Sequence, residues 1–267
     1  MITSLHSPHV ERVKALLGSR GNKARRQEKL FVAEGLQSIR EALSSNFITT
    51  QAIYLTENGR QLLAEENLIS EDFEFIDVSD AVMAAMTDTV TPQGLLALCE
   101  IPSEKKSEFL AQLNQKQPIR IAYFWQIQDP GNAGTVIRTA DAFGCSAVMF
   151  SPGSVDVFSP KVVRSTVGSL WHIPIFEDVD AGEILGISGA KIFITDGAGD
   201  RELADAVREQ GSVSIWVFGN EAHGVKDLPA ELLSQAERVA IPMSGAAESL
   251  NIASAASIVL YSASLRS

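Results

Sequence analysis

Residues 119–125 most constrain what this chain can fold into. They read as a continuous apolar run, too short for a buried helix and of the kind found in strands covered on both faces. Such strands belong to parallel sheets, and parallel neighbours must be joined by crossover helices. The pattern downstream supplies them. Residues 147–150, 191–195 and 214–218 read as further strands, and 132–143, 160–168, 202–210 and 249–264 as helices. The expected carboxyl-terminal unit is therefore an α/β domain with a mostly parallel sheet.

A smaller α/β alternation precedes it. Residues 31–33, 52–55, 73–78 and 94–99 read as strands, and 35–43, 58–67 and 79–86 as helices, after a short helix within 4–17 and a break at 18–22. The stretch 102–118 is rich in Lys, Glu, Gln and Ser and marks the boundary, although 104–113 has helical character of its own. The expected division is a domain over 1–103, a linker over 104–118 and a second domain over 119–267. A length of 267 residues suits two domains.

Charge is distributed unevenly. The chain carries a formal −11, yet residues 1–30 hold Arg12, Lys14, Arg20, Lys23, Arg25, Arg26 and Lys29 against Glu11 and Glu28, a net +5. The remainder then carries −16. A basic end on an acidic protein suits a polyanionic partner held at one place, or a solvated basic helix. No apolar run approaches the ~18 residues of a membrane span, and the start lacks a secretion-signal pattern. A cytoplasmic protein without membrane association is expected. Cys99 and Cys145 stand alone, without the spacing of a disulfide framework or a metal site, so no metal is expected.

In open α/β sheets chemistry gathers beyond the carboxyl ends of strands, and three such segments stand out. The first, residues 129–144, begins Asp129-Pro130-Gly131-Asn132 and continues to Arg138. Asn132 has the chemistry of a helix cap, and Arg138, just under two turns on, is expected on the same side and suits a phosphate or a developing oxyanion. The second is Phe218-Gly219-Asn220-Glu221-Ala222-His223-Gly224, directly after an apolar strand. Its glycine suits close approach of a ligand to backbone and its carboxylate can gather donors. His223 has no partner fixed by the sequence. The third runs from Ile241-Pro242-Met243 through Ser249-Leu250-Asn251 into a helix with small residues at 253–257. A Walker loop and a dinucleotide fingerprint are both missing after 119–125, which excludes those nucleotide-binding classes.

In this order, the three segments resemble the SpoU or TrmH family of RNA ribose 2′-O-methyltransferases within the SPOUT superfamily. The first resembles that family's motif with Asn132 and Arg138, the second its motif with Gly219-Asn220-Glu221, the third its motif from Ile241 to Asn251. Upstream, Phe31-Val32-Ala33-Glu34-Gly35 and Pro92-Gln93-Gly94 resemble the L30e-like substrate-binding domain often fused to such enzymes. The resemblance implies a deep trefoil knot in the second domain, a homodimer with sites at its interface, S-adenosyl-L-methionine as cofactor and structured RNA as substrate, ribosomal RNA before transfer RNA.

The same resemblance implies roles for residues. Asn132, Arg138, Glu221, Ser249 and Asn251 form the catalytic set, with Arg138 deprotonating or electrostatically activating the 2′-hydroxyl. Gly219, Asn220, Ile241, Met243, Leu250 and Thr195 hold the cofactor, and Arg25, Arg26, Lys29, Lys161 and Arg164 contact RNA. Thr166-Val167-Gly168 departs from the family's usual Ser/Ala-Gly run. A noncatalytic RNA-binding protein that keeps the cofactor pocket is the alternative.

Overall fold

A computed structural model describes all residues except 19, 104–105, 113–117 and 266–267. In chain order the first elements are α1 (Pro8–Leu17), α2 (Gly21–Glu28), β1 (Leu30–Glu34), α3 (Leu36–Ser44), β2 (Thr50–Leu55), α4 (Glu57–Glu65), β3 (Phe75–Asp77), α5 (Asp80–Ala85) and β4 (Leu95–Glu100). Then follow α6 (Lys106–Gln112), β5 (Ile119–Phe124), α7 (Pro130–Ala142), β6 (Ala147–Phe150), α8 (Pro160–Ser165), β7 (Ile175–Phe176), α9 (Ala181–Leu185) and β8 (Ala190–Thr195). The last are β9 (Arg201–Glu202), α10 (Leu203–Arg208), β10 (Val213–Phe218), α11 (Ala230–Gln235), β11 (Glu237–Ala240) and α12 (Ile252–Ser264). Among the described residues no helix is long and apolar enough to cross a membrane.

The chain falls into two compact units, and a single cut does not separate them. The first comprises Met1–Ser103 together with Asp156–His172, and the second residues 104–155 and 173–267. Period-two geometry explains the excursion. Along β1, Leu30 and Val32 face a core built with Val10, Val13 and Leu16 of α1 and Val82 and Met83 of α5. Phe31 points to the opposite face, where its ring meets those of Phe158 and Trp171 at 5.2 and 6.0 Å. Residues 156–172 thus cover the second face of this sheet, whose order is β1-β4-β2-β3. Of the linker expected at 104–118, residues 104–105 and 113–117 lie outside the described residues. Within it α6 places Phe109 against Phe176 in the core of the second unit.

The second unit is built on a seven-stranded sheet, β7-β6-β5-β10-β8-β11-β9, with every pairing parallel. The chain builds outward from β5 to β7, returns across the sheet to β8, and inserts β10 between β8 and β5. The order therefore reverses beside β5 and β10, where open α/β sheets form their crevice. Both strands are buried along their whole length, and the rings of Phe124 and Phe218 stack 4.9 Å apart at their carboxyl ends.

Three local differences from the sequence reading have physical causes. The run at 119–125 is not wholly apolar, since it contains Arg120, which is buried. Helix α8 ends at Ser165 rather than 168, because Val167 and Gly168 both take positive φ, 52° and 99°. Helix α12 starts at Ile252 rather than Ser249, because the Asn251 side chain accepts from Ala253 N and Ser254 N and so caps it there. The loop before it, 242–250, is exposed throughout.

Candidate active site

The site assembles from loops that leave the carboxyl ends of β5, β8, β10 and β11. After β5, Asp129 caps α7 by accepting from Asn132 N at 2.8 Å, with Pro130 at the first helical turn. This fixes where the Asn132 amide emerges. After β10, Asn220 folds its loop into a tight turn: its Oδ1 accepts from Ala222 N and His223 N, and its backbone pairs with Gly224 in both directions at 2.8 Å. Gly219 is needed for that turn. A Cβ there would lie 2.3 Å from the Gly224 carbonyl oxygen, so the loop's own backbone, not a ligand, requires the glycine.

A chain of hydrogen bonds then joins the three motif loops. The Glu221 carboxylate accepts from Gln128 N at 2.9 Å, Asp129 N at 3.2 Å and Asn132 Nδ2 at 3.2 Å. Asn132 Oδ1 in turn accepts from Asn251 Nδ2 at 3.2 Å. Asn132 turns its donor to the second motif and its acceptor to the third. An aspartate could supply only the acceptor half of this relay. Three donors thus converge on the Glu221 carboxylate, which holds the loops after β5 and β10 together.

These loops enclose a cavity of about 880 Å³. Asn132, Thr195, Gly219, Asn220, Glu221, Ile241, Met243, Ser249, Leu250 and Asn251 all line it, so nearly the whole cofactor and catalytic set expected from the sequence converges on one space. Phe218, Ile241, Met243 and Leu250 make an apolar wall, on which Met243 and Leu250 remain 37% exposed. No backbone-to-backbone hydrogen bond involves residues 242–250 among the described residues. Apolar side chains beside unpaired backbone donors and acceptors suit a flat heterocycle carrying polar edges.

Arg138 is the exception. Six residues at about 100° each put it about 120° around the helix from Asn132, so the expected shared side does not exist. It does not line the cavity; it is exposed on the outer face of α7. The side of α7 that meets α12 is the one that carries Asn132, since Thr139 Oγ1 and Ser257 Oγ lie 3.2 Å apart and the Phe143 and Tyr261 rings meet at 5.5 Å.

Of the residues expected to meet RNA, Arg25 is buried. Its Nε and Nη2 donate to Asp156 Oδ2 at 2.9 and 2.6 Å and its Nη1 to Leu16 O, so its charge braces the first unit instead of facing phosphate. Arg164 is half-buried against Asp88 at 2.8 Å and Glu34 at 3.6 Å. Arg26, Lys29 and Lys161 are exposed.

Sequence reasoning missed further cavity residues, Asp196, Lys226 and Glu248, and it had singled out His223, which also lines the cavity, without a partner. Asp196, the residue after β8, accepts from Arg238 Nε at 2.8 Å and from Ala198 N. Its position at a strand's carboxyl end was the available signal. Among the described residues no cluster of His, Cys, Asp or Glu is arranged to hold a metal.

The family follows from comparison with known proteins. Residues 120–261 match the model of the SpoU rRNA Methylase family, more than half of the chain. The chain belongs to that family. Residues 8–97 match the MRM3-like substrate binding domain. Among relatives, the chain is 33% identical over 249 residues to a 23S rRNA (guanosine(2553)-2′-O)-methyltransferase, RlmP, of Bacillus subtilis, covering 90% of both chains. It is 29% identical to a 23S rRNA (uridine(2479)-2′-O)-methyltransferase of Streptomyces viridochromogenes, covering 94% of this chain and 87% of the relative. Among solved structures, the AdoMet-bound rRNA methyltransferase of Sinorhizobium meliloti superposes with a TM-score of 0.81 at 28% identity, covering 99% and 97% of the two chains. The mixed α/β architecture with a mostly parallel sheet is thus that of SpoU-type methyltransferases.

Proposed function

We propose that this chain transfers the methyl group of S-adenosyl-L-methionine to a ribose 2′-hydroxyl of ribosomal RNA. The observation that carries the reading is the relay Glu221–Asn132–Asn251, which ties all three family motifs around one cavity at the switch point of the sheet. The relatives act on 23S rRNA by their names, and these span nearly the whole chain, substrate-binding region included.

The cavity's donor set fits the cofactor. Its apolar wall and the unpaired backbone of 242–250 suit the adenine, Thr195 and the Gly219-Asn220 turn lie beside them, and Ser249 stands exposed at the same wall. When bound, S-adenosyl-L-methionine supplies an electrophilic methyl on a sulfonium. The protein's task is to hold the 2′-hydroxyl in line with it, and alignment alone is worth about 7 kcal/mol or more in well-oriented systems. Arg138 acts electrostatically. A guanidinium keeps its protons, so it lowers the cost of an alkoxide rather than accepting the hydroxyl proton.

Arg138 reaches a cavity through a second copy of the chain. On α12, which packs against α7, Ile258, Tyr261 and Leu265 are 40, 50 and 69% exposed, a run of large apolar side chains. Covering it with the same face of a partner buries the apolar residues and carries each Arg138 across a two-fold axis. The trefoil knot of the family would be tied in the segment from β11 to α12. Arg26, Lys29 and Lys161 would meet RNA phosphates, and the protein would work in the cytoplasm.

The test is transfer of label from methyl-labelled S-adenosyl-L-methionine to ribosomal and transfer RNA taken from cells lacking the protein. Label recovered as a 2′-O-methyl nucleoside from ribosomal RNA supports the reading. Label in transfer RNA alone overturns the substrate, and cofactor binding without label in any RNA overturns the activity.

A further inference from the structure

Helix α2 lacks the apolar stripe that normally docks a helix. Its sequence, Gly21-Asn22-Lys23-Ala24-Arg25-Arg26-Gln27-Glu28, offers one methyl group, that of Ala24, to the core beneath. Polar side chains hold it instead. Arg25 reaches inward to Leu16 O and to Asp156, and the side chains of this ion pair are only 6% and 13% exposed. Asn22 Nδ2 donates to the same Asp156 oxygen at 2.9 Å, and Phe158 N donates to the other at 3.0 Å. Gly21 lets the helix lie close to α1, since a Cβ there would collide with Leu16 O and the Arg25 guanidinium.

Stability alone does not explain such a mount. Burying an ion pair takes two charges out of water, and well-packed apolar side chains commonly do as well or better. Directional bonds to one carboxylate add a fixed orientation, which a single methyl contact leaves loose. That orientation presents cations. Lys23 and Arg26, three residues apart, are neighbours on the outer surface, about 4.5 Å apart along the axis. Arg20 and Lys29 stand at the two caps, and all four residues are exposed. Asp156 also opens the segment that carries the exposed Lys161, so one carboxylate ties the helix to the start of that segment. On a chain of net −11, exposed cations held in a rigid row suit the phosphates of an RNA.

We infer that the buried Arg25–Asp156 pair is a positioning device for RNA binding: it seats α2 so that Lys23 and Arg26, flanked by Arg20 and Lys29, meet substrate phosphates. This rests on the ribosomal-RNA reading above. Phosphate contacts carry no sequence information, so α2 sets affinity and register and leaves the chemistry to the cavity. Asp156 acts against its own sign. Its charge repels phosphate, whereas its bonds to α2 strengthen the grip.

Filter binding of ribosomal RNA to the full-length protein over a salt series, alongside methyl transfer, tests this. The double variant Lys23→Gln/Arg26→Gln is expected to weaken RNA binding about 10-fold and to reduce the slope of log K against log salt by about 1.5, near 0.7–0.9 per lost phosphate contact. Its kcat and cofactor Kd should stay within twofold. Lys191→Gln/Arg208→Gln, the same change of charge on exposed residues of the second unit, should leave affinity and slope as they are. Asp156→Asn removes a negative charge, yet should weaken RNA binding about 3- to 10-fold, the scale for a residue acting without touching the ligand. An unchanged slope in the α2 double variant, or a loss no larger than in the control pair, overturns the docking surface. Tighter RNA binding by Asp156→Asn, its Coulombic effect alone, overturns the positioning role. Where Asp156→Asn does not fold, Asn22→Ala, which removes a bond to the same oxygen and no charge, takes its place, and undiminished RNA binding by it overturns that role. A wild-type protein that binds ribosomal RNA without methylating it overturns the transfer reading instead, and the binding comparisons still decide this inference.

Discussion

Helices α7 and α12 are tied to each other at both ends, and the two ties are opposite in kind. At their amino ends the tie is one exposed amide pair, Asn251 Nδ2 to Asn132 Oδ1 at 3.2 Å. At their carboxyl ends it is a buried cation. Arg120, on β5, donates Nη1 to Phe143 O at 3.1 Å and Nη2 to Ala263 O at 2.6 Å, with Gln210 Nε2 also on Ala263 O at 3.0 Å. Among the described residues no carboxylate is within salt-bridge reach of it; the negative ends of two helix dipoles take that place. Burial still lowers the Arg120 pKa, and the neighbouring Cys145 thiol is pushed up to about 12 by its own burial. The difference is one of burial: the carboxyl ends hold a desolvated charge, while the amino ends line the cavity and are joined by a neutral, exposed hydrogen bond.

The largest effect is expected on the outer face between the ties. Arg138→Ala should cut methyl transfer by about 100- to 1000-fold, the range for losing a charge-stabilising group, while cofactor Kd measured by calorimetry stays within twofold. Undiminished transfer would remove Arg138 from the reaction. At the buried tie, Arg120→Met should destabilise the protein by about 1–3 kcal/mol in urea unfolding, because carbonyls at two helix ends lose their donor. Equal or higher stability would mean the cation costs as much to bury as its bonds return.

The exposed tie should be weaker and functional. Asn251→Ala removes a helix cap worth about 1 kcal/mol, and a double-mutant cycle with Asn132→Ala should show coupling of about 0.5–1.5 kcal/mol. Zero coupling would leave the motif loops independent. The smallest effect concerns the first unit, where burial raises the Glu34 pKa above its ordinary value, against hydrogen bonding from Thr89 and the charge of Arg164. A raised carboxyl pKa means that folding favours the protonated form. Its contribution is therefore present at low pH and is lost as pH rises from the ordinary carboxylate value, 4.5, through the raised one. Glu34→Gln should accordingly gain stability relative to the parent over that window, and a constant difference across pH would contradict the shift.

Much of the site was legible before any coordinates. Asn251 does cap a helix, whereas Asn132, expected as a cap, lies inside α7 behind the capping Asp129, and Glu221 was marked only by its place in a loop after a strand. Arg138 was legible as a residue but misplaced by a helical count, an error of about 120° that only geometry exposes. His223 was visible but unpartnered, because only the turn brings Asp227 to its Nδ1. Arg120 was hidden inside an apolar run, since its partners, Phe143 and Ala263, lie far along the chain.

By itself the sequence determined the alternation of strands and helices, the parallel sheet and the loops where chemistry gathers, because each is written in short-range periodicity and turn chemistry, and it pointed to the family through the joint resemblance of three motifs. The tertiary structure alone decided that residues 156–172 complete the first unit, that Arg25 and Arg120 are internal struts, and that Arg138 leaves its own cavity. Those outcomes depend on contacts between residues distant in sequence, whose pairing is set by how sheet faces and helix ends must be covered, and no local pattern records it.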